Sequence, residues 1–175
     1  MSTVRFVSLA VCVALLLSVG HARASEDKLT MKDKDFIKSA MRQMEIIAQE
    51  SRLADTNADS DGVKHFANMA THDMDSMIKS LHEFCDKNNW SFDADPTRPD
   101  VKGKHELEGL KGKEFDRVYM SDMTREFEET LKDFKTAADQ ADNSELRQWF
   151  ERYDNKVHDR RDNANELYRK VKGKD

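Results

Sequence analysis

Proline is nearly absent from this chain of 175 residues, in which Pro96 and Pro99 are the only two. Because proline interrupts helices and central strands, residues 96–99 are the one place where the chain is broken in this way. Long alternation of apolar and polar residues is also lacking, which argues against a sheet with one face in water. The rest is rich in Lys, Glu, Ala, Met and Leu, and this composition favours helices.

Cysteine is equally scarce, since Cys12 and Cys85 are the only two. Cys12 lies inside an apolar run near the N-terminus, so the remainder of the chain has one thiol and cannot form an internal disulfide. We expect Cys85 to be buried on a helix face. A reactive or intermolecular thiol is the alternative.

The apolar run covers residues 6–19 and follows Arg5, the first charged residue. It is followed by small residues at Ala22 and Ala24, which fit a signal-peptidase site. As a helix the run would be roughly 21 Å long, shorter than the ~30 Å apolar core of a bilayer. We therefore predict a signal peptide at 1–24, with an uncleaved anchor as the alternative. The protein would be exported to the periplasm or the extracellular space, with no membrane span left after cleavage.

Positive charge is also in short supply. The whole chain carries a net charge of −5, and cleavage after residue 24 removes two arginines and no acidic residue, which takes it to −7. An acidic protein is repelled by polyanions, so nucleic acid and anionic lipid are excluded as main partners. A protein partner or a homo-oligomer stays open.

Apolar residues recur at helical spacing in four segments, which predicts helices at about 33–55, 61–88, 113–138 and 144–171. Each carries one apolar stripe, so the four must bury their stripes against one another in a single domain over 25–175. The links between helices one and two, and between helices three and four, are short and predict antiparallel neighbours.

The link between helices two and three, residues 89–112, is long enough to return the whole length of a bundle. The sequence thus predicts an all-α fold, a ferritin-like four-helix bundle whose helices two and three are parallel across a long crossover. Trp90, Phe92 and a short helix near residues 104–110 are expected to pack on the outside of the bundle.

A bundle of this kind raises the question of a di-iron centre, which needs Glu-x-x-His motifs on two helices. No histidine in the expected helices or crossover has an acidic residue three positions before it. We also find no nucleophile paired with a base and no phosphate-binding loop. The sequence therefore predicts no catalytic residue and no cofactor. The histidines tested are His65, His72, His82, His105 and His158.

A soft-metal site is a second hypothesis, since Met69, His72, Met74 and Met77 cluster on helix two. Thioether and imidazole ligands suit copper, particularly Cu(I), in an exported protein. Met74 and Met77 also lie on the apolar stripe, where methionine is an ordinary core residue. Core packing and copper binding are both open from the sequence.

Arg160 is unusual because it lies on the apolar stripe of helix four, between Val157 and Ala164. A charge at such a position either extends towards solvent or pairs with an opposite charge. For an internal ion pair, the candidate partners are Asp122 and Glu126 on helix three.

Several stretches resemble one bacterial family of exported proteins: Val63 to Met69 (VKHFANM), Glu114 to Tyr119 (EFDRVY) and Ser144 to Arg147 (SELR). The family is the ferritin-like domain-of-unknown-function family 4142, described for periplasmic and outer-membrane proteins. The resemblance covers nearly all of residues 33–171 and implies a helical fold but no established activity.

Relatives in that family carry an Asp-His pair on helix two and one histidine on each of helices three and four. The resemblance places these histidines on Met74, Phe127 and Arg160, and the aspartate on Asp73. Only the aspartate is retained, so chemistry that depends on the histidines is not expected here. The leading hypothesis is a non-enzymatic exported bundle that serves as an envelope interaction or stress-associated module. The alternative is a periplasmic copper-type metal-binding protein.

Overall fold

A computed structural model describes residues 28–91 and 106–173 of the chain. It contains four long helices, with bounds within two residues of those expected. The predicted signal peptide at 1–24, Phe92 and the start of the expected short helix lie outside the described residues. The helices are α1 (Met31–Asn57), α2 (Asp61–Lys87), α3 (Gly112–Gln140) and α4 (Ser144–Lys172).

The ends of the helices show that α2 and α3 are parallel, as predicted. Ala58, just before α2, forms an isolated parallel β-bridge with Gly112, the first residue of α3. At the opposite end, Thr30 before α1 donates a hydrogen bond to Asp142, which follows α3. Since α2 and α3 begin at one end and finish at the other, the connection between them must return along the bundle. The all-α bundle with a long crossover is thereby confirmed.

The four packed helix pairs are α1 with α2, α3 with α4, α1 with α3, and α2 with α4, and each pair is antiparallel. Burial drives this packing, because each helix contributes its apolar stripe to one continuous core. Edge-to-face ring contacts join diagonal helices, since Phe66 on α2 meets both Tyr119 and Phe127 on α3.

The described ends of the crossover also contact the bundle. Residues 106–108 form a short helical turn, and Leu107 within it is fully buried. Asn57 Nδ2 donates a hydrogen bond to the backbone oxygen of Leu107 at 3.3 Å. Trp90 is partly buried against the core. No helix in the described ranges has an apolar stretch long enough to cross a membrane.

Two buried aspartates hold the short turns. Asp33 on α1 accepts hydrogen bonds from the backbone N–H groups of Asp142 and Asn143, at 2.8 and 3.2 Å, in the turn between α3 and α4. Asp116 on α3 likewise accepts from Asp59 and Ser60, at 3.1 and 2.9 Å, before α2. Each helical hairpin therefore supplies a carboxylate that satisfies free backbone donors in the other, which fixes how the hairpins align.

Candidate functional site

The middle of the α2–α4 interface holds a buried charge cluster around Asp73, which is 4% exposed. Lys156 Nζ donates to Asp73 Oδ1 at 2.8 Å, and Arg160 Nε donates to Asp73 Oδ2 at 2.7 Å. Both partners come from α4, one helical turn apart. Each carboxylate oxygen thus has its own cationic donor.

Burial alone would raise the pKa of the Asp73 carboxyl. The hydrogen bonds from Lys156 and Arg160, together with their positive charges, outweigh that effect and hold the pKa below its ordinary value. Asp73 therefore stays ionised at neutral pH and ties α2 to α4.

The expected partners of Arg160 need correction. Its side chain is 13% exposed and pairs with Asp73, whereas Asp122 and Glu126 both pair with Arg125 on their own helix, at 3.4 and 3.0 Å. The reason is the position of Arg160 on the edge of the α4 stripe that faces α2. An internal ion pair is present, but it joins a different pair of helices.

The three positions on which the resemblance places histidines are filled by packing and by this ion pair. Met74 and Phe127 have no exposed surface, and Arg160 is held by Asp73. With a rise of about 1.5 Å per residue, all three lie near the middle of their helices. The interior at this level therefore consists of apolar side chains beside a neutralised carboxylate.

The four residues of the copper hypothesis are not brought together. Met74 and Met77 are fully buried, whereas His72 is exposed and Met69 is half-buried. Residues two apart on a helix point about 200° apart, so His72 faces away from Met74. Within the described ranges, no three His, Cys, Asp or Glu side chains form a group that could hold a metal ion.

A further buried carboxyl group, on Glu50 of α1, was not foreseen. Glu50 is 2% exposed, and its Oε2 has no hydrogen-bond partner among the described residues. Burial raises its pKa to about 8, and repulsion from Asp122 and Glu126 on α3 adds to the rise more than Arg125 subtracts. Glu50 is therefore largely protonated near neutral pH.

Next to Glu50, a buried hydroxyl pair joins α1 to α3. Ser51 Oγ and Tyr119 Oη are 2.8 Å apart, and Ser51 also donates to the sulfur of Met123 at 3.9 Å. Burial, which outweighs the hydrogen bond with Ser51, raises the pKa of the Tyr119 hydroxyl far above its usual range. The pair is neutral and serves to satisfy polar groups inside the core.

The sequence contained a signal for these α1 residues. The apolar stripe of α1 passes through Ile47 and Ala48, and its three- and four-residue spacing continues onto Glu50, Ser51 and Ala54. All three are buried. Polar residues in register with an apolar stripe are therefore candidates for buried polar groups, as Arg160 was on α4.

Cys85 is buried at 1% exposure, as its place on the α2 stripe predicts. Burial, with a smaller contribution from Asp86, raises the pKa of its thiol to about 11. A thiol with such a pKa carries little thiolate and reacts slowly.

A cleft lies on the bundle end where α1 and α4 begin and α2 finishes. It measures about 510 Å³ and combines lysines, amides and an aromatic ring. Lys87 Nζ bonds both carboxylate oxygens of Glu145 at 2.8 Å across one wall. Lys34 Nζ lies 5.5 Å from the centre of the Trp90 ring. The lining residues are Lys28, Leu29, Lys34, Lys87, Asn88, Asn89, Trp90, Asn143 and Glu145.

Comparison with known proteins identifies a family. The family model described as "Domain of unknown function (DUF4142)" matches residues 19–167. Neither the search of curated proteins nor the search of solved structures found a match.

Proposed function

The chain belongs to the DUF4142 family, and from this premise we propose that it is a non-enzymatic, exported binding module whose surface recognises its partner. The family description names no activity, so the function has to be inferred from this chain's own residues. One observation carries it: the buried Asp73 carboxylate is neutralised on both oxygens by Lys156 and Arg160.

This arrangement supports a closed interior. A carboxylate that accepts charge-assisted hydrogen bonds on both oxygens can bind a cation only by giving up both partners. Met74 and Phe127 fill the neighbouring positions with thioether and ring atoms. The residues in the middle of the bundle thus serve to hold the helices together. Recognition of a partner can then occur on the surface and in the end cleft.

Export is the second part of the proposal. It rests on the apolar run at 6–19 and the small residues at Ala22 and Ala24. A role in the cell envelope, either as an interaction module or in a stress response, fits a secreted bundle with a net negative charge. Expression of the full chain with a C-terminal tag tests export: the mature protein should start at residue 25 and fractionate with the periplasm or the medium.

Metal analysis tests the closed interior. The mature protein, purified from medium supplemented with copper, iron and zinc, should contain clearly less than one equivalent of metal. Its melting temperature should not rise when Cu(I), Fe(II) or Zn(II) is added. One tightly bound equivalent that raises the melting temperature would overturn the proposal.

The copper-binding alternative can be tested with a histidine variant. Met69 and His72 lie three apart on α2, and His72 is exposed, so this pair could reach a surface ion. If copper binds there, His72→Ala should abolish binding, whereas His65→Ala, at another exposed α2 histidine, should leave it intact. Copper binding with this pattern would favour the alternative over the binding module.

A further inference from the structure

We propose that a small cleft between α1, α3 and α4 binds a primary alkylammonium group on a short carbon chain. The side cleft, as we call it, is lined by α1 residues between Phe36 and Ala40, α3 residues between Asp133 and Ala137, and Phe150 on α4. The inference rests on the proposed function and names the chemical group that the surface of this binding module recognises.

The first support is the size and apolar character of the side cleft. Its apolar lining consists of three rings and two small side chains, namely Phe36, Phe134, Phe150, Ala40 and Ala137. The volume is about 140 Å³, which is too small for a drug-sized molecule. Since a water-sized group occupies ~30 Å³, there is room for roughly five heavy atoms, the size of n-butylammonium. Apolar walls favour the methylene groups of such a chain.

The second support is the Asp133 carboxylate, which lies in this lining without a cation. Its Oδ2 accepts hydrogen bonds from two neutral groups on α1, Ser39 Oγ at 3.4 Å and Gln43 Nε2 at 2.8 Å. In the described part of the chain, no lysine or arginine pairs with Asp133, whereas Asp73 has two cationic partners. An unneutralised carboxylate beside apolar walls favours a ligand that carries a positive charge, and the net charge of −5 adds to that attraction.

The third support is that the polar side chains of the side cleft have acceptors to offer but no free hydroxyl hydrogen. Ser39 donates its hydrogen to Asp133, and Thr136 donates its own to the backbone oxygen of Lys132 at 2.9 Å. Gln43 Oε1, in the amide that bonds Asp133, is buried and has no hydrogen-bond partner among the described residues. An ammonium group has three donors and no acceptor, so it complements this lining.

Other ligand classes fit the side cleft less well. Anions would be repelled by Asp133, and an uncharged alcohol would leave that carboxylate without a counter-charge. A metal ion would need several strong ligands, and the described residues bring no such group together. A metal ion would also make no use of the rings that surround Asp133.

A titration of the ¹⁵N-labelled mature protein with n-butylammonium chloride, followed by NMR, tests the inference. Backbone amide shifts should saturate and centre on Ser39, Asp133 and Thr136, with a Kd of about 1–10 mM for so few ligand atoms. The alcohol n-butanol has the same chain without the charge and should bind at least ~10-fold more weakly. Butyltrimethylammonium keeps the charge but has no N–H donor, and it should likewise bind at least ~10-fold more weakly.

Three variants localise the binding. Asp133→Asn keeps an acceptor oxygen for Ser39 but removes the charge, so it should weaken n-butylammonium binding roughly 10-fold. Glu128→Gln also removes one negative charge, at an exposed position about 140° around α3 from Asp133, and should bind like the wild type. Thr136→Val removes one acceptor and should weaken binding roughly 3-fold. Melting curves of all three variants verify that they are folded.

A second ligand distinguishes the source of the alkylammonium group. Nα-acetyl-lysine N-methylamide presents a lysine side chain between two peptide groups. If it binds as tightly as n-butylammonium, the side cleft accepts a lysine of a protein partner. If only n-butylammonium binds, the ligand is a free aliphatic amine, and the site is supported in either case.

The inference is overturned if no saturable shift occurs up to ~100 mM n-butylammonium, far weaker than the expected affinity. It is also overturned if n-butanol or butyltrimethylammonium binds as tightly as n-butylammonium, or if Asp133→Asn and Glu128→Gln behave alike. These results leave the proposed function standing, because the metal analysis judges that separately. Stoichiometric metal together with n-butylammonium binding would instead reject the closed interior and keep the side cleft.

Discussion

Arg160 donates to Asp73 at 2.7 Å across the α2–α4 interface, the least extensive of the four packed helix pairs. Where apolar contact is limited, a buried ion pair has a larger part in fixing how two helices align. The stability of this interface can therefore be tested through a single side chain.

Arg160→Ala should lower the free energy of unfolding by about 2 kcal/mol, because it removes one cation from a buried carboxylate while Lys156 stays in place. Urea denaturation at pH 7 measures the change. Arg161→Ala is the matched control, since Arg161 pairs with the exposed Asp162 and should cost less than ~0.5 kcal/mol. Equal losses in the two variants would show that the Asp73 pair contributes nothing particular.

Glu50 predicts an unusual dependence of stability on pH. Its pKa rises from an ordinary 4.5 to about 8 in the folded protein, so the folded state binds more protons than the unfolded state between these values. The contribution of Glu50 to the free energy of unfolding should be highest below pH 4.5 and should fall as pH rises to 8. The full effect is on the order of 4 kcal/mol.

Glu50→Gln isolates that effect, because the amide cannot ionise. The difference in unfolding free energy between this variant and the wild type should shift steadily in favour of the variant as pH rises from 5 to 8. Glu128→Gln, at an exposed position on α3, should show a constant difference. A pH-independent difference for Glu50→Gln would contradict the burial argument.

The Ser51–Tyr119 pair should behave as a coupled unit. Ser51→Ala and Tyr119→Phe each strand one buried hydroxyl, and each should cost about 1 to 2 kcal/mol. The double variant strands neither, so its cost should be smaller than the sum of the two single costs. Chemical denaturation of all four proteins measures the coupling, and strictly additive costs would mean that the hydroxyls act independently.

The reciprocal turn contacts predict local effects on amide hydrogen exchange. Asp33→Ala should speed exchange at Asp142 and Asn143, and Asp116→Ala should do so at Asp59 and Ser60, because each change removes the acceptor. Each variant should lose about 2 kcal/mol of stability.

Asp35→Ala, at an exposed α1 position, serves as the control for both variants and should leave all four amides unchanged. If either aspartate variant speeds exchange equally in both turns, the contacts do not act locally and general destabilisation is the explanation.

Much of the fold could be predicted because it depends on local pattern. Helix-forming composition, the three- and four-residue spacing of apolar side chains and the lengths of the links are properties of short segments. They predicted four helices, two antiparallel hairpins and the parallel arrangement of α2 and α3. The burial of Met74, Phe127 and Cys85 followed from the same stripes.

The partners of the charged residues could not be predicted in this way. Arg160 was recognisable as a charge in an apolar stripe, but whether it meets Asp122, Glu126 or Asp73 depends on the rotation of α4 about its axis. That rotation is set by packing summed over the whole core, and a small change in it selects a different acid.

By itself, then, the sequence determined which faces of the helices are buried, because burial follows from the order of apolar residues along each segment. Only the tertiary structure decided which polar groups meet inside. The Asp73 cluster, the contacts of Asp33 and Asp116 with the opposite hairpin, the interaction of Glu50 with the charges of α3, and the end cleft all involve residues far apart in the chain. Such contacts exist only when several helices have settled together, since no single helix contains both partners.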